Sequence, residues 1–449
     1  MRLQNRGHGS ERKCDIPNLD VDTRAADSVR TTRTFYGWWV LLVAAAAMVG
    51  TLPGRTQGLG LITEPLLADL HLDRLSYAQI NFWATIIGTA GALGIGRALD
   101  RLGSRAVLTA VAVALGVVVA LMSRTASVSG LIVWATLTRA LGQSALSVVS
   151  LAMVGQWFVR RIDTAMAVYS IVMSIGFMAA FPTVGALIQR WGWRAAWLSI
   201  GIALIAGLAP LAFFIVRSTP ESIGLAADGD GSGQVHASTT RAQSLELEGD
   251  TWQLALRAPA FWMFAIGAAL YGLVASGIGL FNESILRERG FGPDVYYQSL
   301  VVTAMTALAG NFLGGWLARS VRLAWLLAAA LGILALGLAV LPQVSTLTHV
   351  VMWATAMGLG GGLVMVLFFS VWARAFGRRH LGRIQGIAQA MTVLASALGP
   401  LLLAWCIDRT GSYAAMFRIL AAVVALTSLC ALVTPMPPRA QPPAHPGRV

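Results

Sequence analysis

Charge is what this sequence has least of. Only 12% of its 449 residues are Asp, Glu, Lys or Arg, about half the share in an ordinary soluble domain. Hydrophobic residues make up 56%. A chain this long cannot hide so much apolar surface in water, which excludes a soluble enzyme. Lysine is almost missing: Lys13 stands alone. That removes a GxxxxGK[ST] phosphate loop and, with it, ATP-driven work. Cysteine is scarce. Cys14, Cys406 and Cys430 are odd in number, and two lie inside apolar runs, so there is no disulfide framework. The six histidines lie in tails, loops or segment ends, with no HExxH or CxxC pattern. No metal and no cofactor is expected. Residues 1–35 are polar and arginine-rich without an apolar core, so they are not a signal peptide and are expected to form a disordered cytoplasmic tail.

What the chain has instead is apolar runs of about 20 residues, the length that crosses a bilayer as a helix. They lie near 36–62, 77–98, 105–123, 129–157, 164–188 and 195–217. After a polar stretch they resume near 259–285, 297–318, 323–342, 349–373, 384–406 and 413–434. None alternates as a membrane strand would. The net charge of +13 would suggest nucleic acid in a soluble protein. Here it sits on arginines flanking apolar runs, so the partner is the lipid bilayer and no nucleic acid is expected. With the N-terminus inside, the inner segments carry Arg97, Arg101, Arg105, Arg160, Arg161, Arg319, Arg322, Arg374, Arg378, Arg379 and Arg383. The positive-inside rule then places both termini in the cytoplasm of a plasma-membrane protein.

The expected organisation is a tail at 1–35, a six-helix lobe at 36–217, a cytoplasmic central loop at 218–258, a second six-helix lobe at 259–434 and a tail at 435–449. Within the loop, 251–258 is a short amphipathic run suited to the inner membrane surface. The lobes repeat each other. Gly96 and Arg101 recur as Gly314 and Arg319, 218 residues on, and Arg190 and Gly192 recur as Arg409 and Gly411, 219 residues on. An even number of helices per copy gives parallel repeats with a site between them.

Arg139 is the sharpest single residue. At about 1.5 Å per residue it lies on the order of 16 Å along segment 4, near the midplane. A charge there costs at least about 2.5 kcal/mol and is rarely kept without a use. Gln143, Ser147 and Ser150 share its face. The open readings are anion binding or coupling on one side, and a structural arginine at a helix contact on the other. Arg55 follows Pro53-Gly54, which should break segment 1. It either attracts anions at an outer vestibule or snorkels to the surface. No acid lies near the centre of any segment, and Glu64, Glu283 and Asp408 sit towards outer ends. Deep arginines without deep acids give a positive cavity that favours a small anionic solute and repels cations. Segment 11 carries Gln385, Gln389, Thr392 and Ser396 on one stripe, segment 2 carries Asn81, Thr85 and Thr89, and segment 7 offers Tyr271 and Asn282. Each either hydrogen-bonds a substrate or joins helices, the latter worth about 0.6 kcal/mol.

The loop GRALDRLGSR (96–105) resembles the signature loop of the major facilitator superfamily, and Arg139-Ala-Leu-Gly142 resembles that superfamily's fourth-helix motif. Gly176, Pro182 and Gly185 are similar to a loose version of its fifth-helix glycine–proline motif. The stretches PESIGLAADG (220–229), FGRRHLGRIQG (376–386), ALGP (397–400) and DRTGSY (408–413) look like the monocarboxylate and oxalate–formate branch. The resemblance covers roughly 36–434. It implies an all-α membrane protein of about twelve helices in two six-helix lobes, a secondary transporter and not an enzyme. It also implies a small carboxylate as substrate and a proton or counter-anion as coupling partner. Some members carry cationic residues in segments 1 and 8. Arg55 falls near the first position, while segment 8 here has no charge. Gly96, Asp100, Arg101, Gly103 and Arg105 are expected to gate the inner side, with Asp100 facing the start of segment 11. The alternatives are a multidrug or other solute exporter on the same fold, or a receptor that binds without moving solute.

Overall fold

A computed structural model describes residues 35–90, 94–158, 161–225, 251–377 and 380–435. All regular structure among them is helical. Ten helices are long and apolar enough to cross a membrane. One of them, Thr164–Ile215, turns at Gly192 and crosses twice. The 17-residue helix Arg74–Ala90 adds another crossing, giving twelve.

These are α1 (Gly37–Leu70), α2 (Arg74–Ala90), α3 (Ile95–Met122), α4 (Val128–Trp157), α5 (162–191) and α6 (193–215) in the first lobe. The second lobe has α7 (Pro259–Glu288), α8 (Pro293–Leu317), α9 (Leu323–Gln343), α10 (Leu347–Phe376), α11 (Leu381–Thr410) and α12 (Ala414–Val433). Their ends are written in the sequence. Asp73 caps α2 by accepting the Ser76 backbone N–H at 2.8 Å and the Ser76 hydroxyl at 2.7 Å. Those bonds hold its carboxyl below the usual range. Ser127 and Thr346 cap α4 and α10 in the same manner. The expected amphipathic run before α7 is the helix Trp252–Arg257, lying against α11. The one large correction to the segment boundaries is α1, which continues to Leu70 and carries Glu64 and Asp69 with it.

The side bearing Arg97, Arg101, Arg319 and Arg374 is called here the basic side, and the other the far side. The repeat is visible in the far-side ties. Asp69 at the end of α1 accepts from Trp193 Nε1 at 3.1 Å and Arg194 Nε at 2.9 Å, at the start of α6. Glu288, 219 positions later, accepts from the Ser412 hydroxyl at 2.6 Å and the Tyr413 N–H at 3.2 Å, at the start of α12. Ser412 and Tyr413 are themselves 219 beyond Trp193 and Arg194.

A second symmetry lies inside the first lobe. Arg101-Leu-Gly103-Ser-Arg105 on the basic side and Arg190-Trp-Gly192-Trp-Arg194 on the far side share one backbone turn. Gly103 has φ 75°, ψ 160°, and Gly192 has φ 80°, ψ 165°. Only glycine adopts that region without strain of about 1–3 kcal/mol. Gly192→Ala, with open space around it, is expected to lose only that. Gly103→Ala is expected to lose more, because its Cβ would also lie 2.4 Å from Ser218 Oγ. Thermal melts of the purified protein should rank the parent above Gly192→Ala, and Gly192→Ala above Gly103→Ala.

The lobes meet through α1 on α7, α2 on α11 and α5 on α8. Among the described residues, three hydrogen-bonded contacts cross the boundary. Ser276 donates to Thr56 at 3.4 Å, Arg287 to Glu64 at 2.9 Å and Gln189 to Asp294 at 2.8 Å. The first lies at the level of the α1 break, and the others lie beyond it on the far side. Gly60 and Gly279, repeat equivalents 219 apart, touch backbone to backbone between Ser276 and the Arg287 contact. The structure is therefore shut on the far side.

Candidate functional site

The site begins with a broken helix. The first half of α1 ends at Gly50, a 3₁₀ turn occupies Leu52–Gly54 with Pro53 early in it, and Arg55 is extended at φ −90°, ψ 153°. A new helix starts at Thr56. Proline without an N–H and glycine without a side chain make this break where the sequence predicts it. The break nests against α4, where Arg139 opens a π-helical stretch, Arg139–Leu146. Such stretches widen a helix locally and recur at functional sites.

Arg139 is 2% exposed. Its Nη1 donates to Thr56 Oγ1 at 2.9 Å and to Gln143 Oε1 at 2.7 Å, and its Nη2 donates to Asn81 Oδ1 at 3.1 Å. Nε is buried without a partner. Asn81 is fixed in turn by its amide nitrogen, which donates to the Tyr77 carbonyl at 3.0 Å. Among the described residues every acceptor on this guanidinium is neutral, so the cage holds it in place without cancelling its charge. Gln143, expected beside Arg139 from the i+4 spacing, is there. Asn81 and Thr56 come from other helices, and only the fold could bring them.

Arg55 lies at the same break and is half-buried. Its side chain turns back along the first half of α1, away from the far-side vestibule where the sequence reading placed it. Nε donates to Thr51 Oγ1 at 2.6 Å and Nη2 to Met48 Sδ at 2.8 Å, and the guanidinium carbon sits 5.4 Å from the Phe177 ring centroid on α5. Thr51 can accept because its own proton goes to the Met48 carbonyl at 2.6 Å. Nη1 has no protein acceptor among the described residues, and no carboxylate pairs with the group. Tyr169 of α5 stands within electrostatic reach and is held by Ser150 at 2.8 Å. The repeat positions of Arg55 (219 on) and Arg139 (218 on) are Val274 and Met357, so these two charges belong to one lobe.

The remaining expected residues scatter. Tyr271 packs its hydroxyl end against Gly361 of α10. Asn282 follows a bend at Phe281 (φ −114°, ψ 16°), is buried, and donates to Ser299 of α8 at 3.5 Å. On α11, Thr392 and Ser396 lie against Gly272 of α7. The upper part of that stripe therefore joins helices, while Gln389 is exposed and Gln385 half-buried. In the expected gate, Gly96 and Arg101 are exposed, and Arg105 lies over the Phe213 ring at 4.3 Å. Ser104 donates to the Ser218 carbonyl at 3.1 Å, which docks the loop on the end of α6. The side chain of Asp100 lies outside the described residues, as do Arg160, Arg378 and Arg379, most of both tails and residues 226–250 of the central loop.

Residues 34–354 and 264–448 match the family profile described as Major Facilitator Superfamily. Monocarboxylate transporter 11 of Mus musculus is 28% identical over 412 residues, covering 85% of this chain and 84% of that protein. Monocarboxylate transporter 12-B of Danio rerio is 24% identical over 289 residues, covering 60% of each. Among solved structures, a bacterial homologue of the human lysosomal transporter Spinster, inward-facing and unoccupied, superposes with a TM-score of 0.67 at 16% identity. It covers 89% of this chain and 96% of that one. At that identity the likeness concerns the fold.

Proposed function

The chain belongs to the major facilitator superfamily, and from that premise we propose that it is a secondary transporter carrying a small organic anion, most simply a monocarboxylate, by alternating access. The basic side faces the cytoplasm of the plasma membrane. One observation supports the anion above all: two guanidiniums at the α1 break have no carboxylate partner among the described residues. A buried charge without a counter-charge is costly. A carboxylate that arrives, is held and leaves supplies that counter-charge in turn.

The two arginines divide the work. Arg139 has both terminal nitrogens committed to neutral acceptors, so it sets the field and fixes the break of α1. Arg55 keeps Nη1 uncommitted and holds its other nitrogens with one hydroxyl and one weakly accepting thioether sulfur. Arg55 is the residue that takes the ligand's carboxylate. The positive end of the half-helix Thr56–Leu70 begins at the next residue and adds to the attraction.

The test is uptake of labelled small carboxylates into proteoliposomes, with an imposed proton gradient or with unlabelled acid inside. Saturable uptake of one of them is the expected result. The stimulating condition separates proton symport from exchange. Failure with every acid, in folded and inserted protein, would overturn the anion reading. Arg139→Gln is expected to give a folded protein with uptake below about one-tenth of the parent, since the charge that sets the field is gone. Near-parental uptake would remove Arg139 from the site.

A further inference from the structure

The far-side closure contains a charge arrangement that the substrate reading does not use. Glu64 on α1 and Glu283 on α7 are repeat equivalents, 219 positions apart, and both are about nine-tenths buried. Two carboxylates therefore meet near the pseudo-twofold axis when the lobes close. Each brings an arginine from its own lobe. Arg74 Nη2 donates to Glu64 Oε1 and Oε2 at 2.9 and 2.8 Å. Arg287 Nη2 donates to Glu283 Oε1 at 2.7 Å, one helical turn away. Among these four residues a single bond crosses the boundary: Arg287 Nη1 to Glu64 Oε2 at 2.9 Å. Glu64, Arg74 and Arg287 border a cleft of about 470 Å³ that Asp73 and Asp408 also line.

We propose that these four residues form a far-side latch in which each lobe's share is electrically self-sufficient, so that opening breaks one bond among them and strands none of their charges. A lone inter-lobe salt bridge would behave otherwise. Pulling it apart would leave a nine-tenths-buried carboxylate unpaired, and that penalty would oppose opening. Here the separated lobes keep Glu64 with Arg74 and Glu283 with Arg287. The one bond lost is at Arg287, whose side chain is 55% exposed and takes up water instead. The latch thus fixes the register of closure with little bias towards it. It rests on alternating access as proposed above and not on the identity of the solute.

Exchanging the inter-lobe partners distinguishes this arrangement from a simple bridge. In Glu64→Arg/Arg287→Glu, each lobe carries two like charges side by side, and only closure relieves them. The far side should lock shut. Reversing the other two as well, with Arg74→Glu and Glu283→Arg, makes each lobe neutral again and should restore opening.

The readout is the distance between spin labels on far-side loops of opposite lobes, at Ala126→Cys and Gln343→Cys, both exposed positions. Cys14, Cys406 and Cys430 are replaced by serine, and the protein is in proteoliposomes. The parent is expected to show a short and a long population. The double exchange should reduce the long one by about tenfold or more, the size expected when like charges face each other. The fourfold exchange should return it. A double exchange that opens like the parent, or a fourfold exchange that stays as shut as the double, overturns the latch alone. A parent with one fixed distance overturns alternating access and the latch with it.

Discussion

Replacement of Arg55 by glutamine is expected to lower carboxylate uptake by about 100-fold, the loss that follows when a charged hydrogen bond disappears from a site shielded from water. The protein should still fold. Arg55 is only half-buried, and its partners are a threonine hydroxyl and a methionine sulfur on its own helix. Glutamine keeps a donor for Thr51 and removes the charge. Arg55→Lys separates charge from shape. A lysine keeps the attraction but cannot serve Thr51, Met48 and a ligand from one rigid fork, so it should retain binding with a raised KM and recover only part of the rate. Initial rates over a range of substrate concentrations in proteoliposomes read both quantities. Equal uptake by Arg55→Gln and parent would show that the ligand is held elsewhere.

Gly60→Ala should be as damaging for a different reason. A Cβ at Gly60 would lie 2.0 Å from the Gly279 carbonyl oxygen and 3.1 Å from its carbon. Both obstacles are backbone, so no rotamer change can relieve them, and the helices must move apart. The contact lies between lobes, so each lobe keeps its own packing, and the far side can no longer shut. Uptake should fall by about 100-fold, as when a conformational step of the cycle is blocked, and labels on the far-side loops should show only the long distance. Gly315→Ala supplies the control, because nothing lies within 4 Å of a Cβ built there. A Gly60→Ala chain that closes and transports normally would mean that the α1–α7 crossing seen here is not the closed state used in the cycle.

The architecture was legible because its signals are local and strong. Twelve apolar runs, arginines at one set of ends and the 218–219 offset are all visible along the chain, and the membrane leaves helix as the choice for such runs. The break in α1 was legible too, because Pro53-Gly54 is a local signal. What was hidden depends on where side chains turn after the helices assemble. Counting along segment 1 placed Arg55 towards the far side, but its long side chain runs back past Thr51 to Met48, nearly two helical turns earlier. Spacing on one helix found Gln143 beside Arg139. It marked Asn81 only as part of a polar stripe on segment 2, and could not show that Asn81 and Thr56, from α2 and α1, meet Arg139. The same limit hid the neighbours of Tyr271 and Asn282, which turn to Gly361 of α10 and Ser299 of α8. The equivalence of Glu64 and Glu283 was present in the 219 offset, yet carboxylates near helix ends give no sign of meeting until the lobes are placed together.

The confinement of both uncompensated guanidiniums to the first lobe has an electrical consequence. The transmembrane voltage falls mainly across whichever gate is shut, and a unit charge moved through it exchanges about 2.3 kcal/mol per 100 mV. In the cycle proposed above, an empty site would carry both positive charges through that drop when the lobes rock, whereas a site holding a monoanion would carry one fewer. The loaded and empty halves of such a cycle would therefore feel the membrane potential unequally. With the basic side cytoplasmic, as proposed, an inside-negative voltage would draw the unloaded site towards it more strongly than the loaded one. Clamping the voltage across the vesicle should change the return of the empty carrier more than the passage of its cargo.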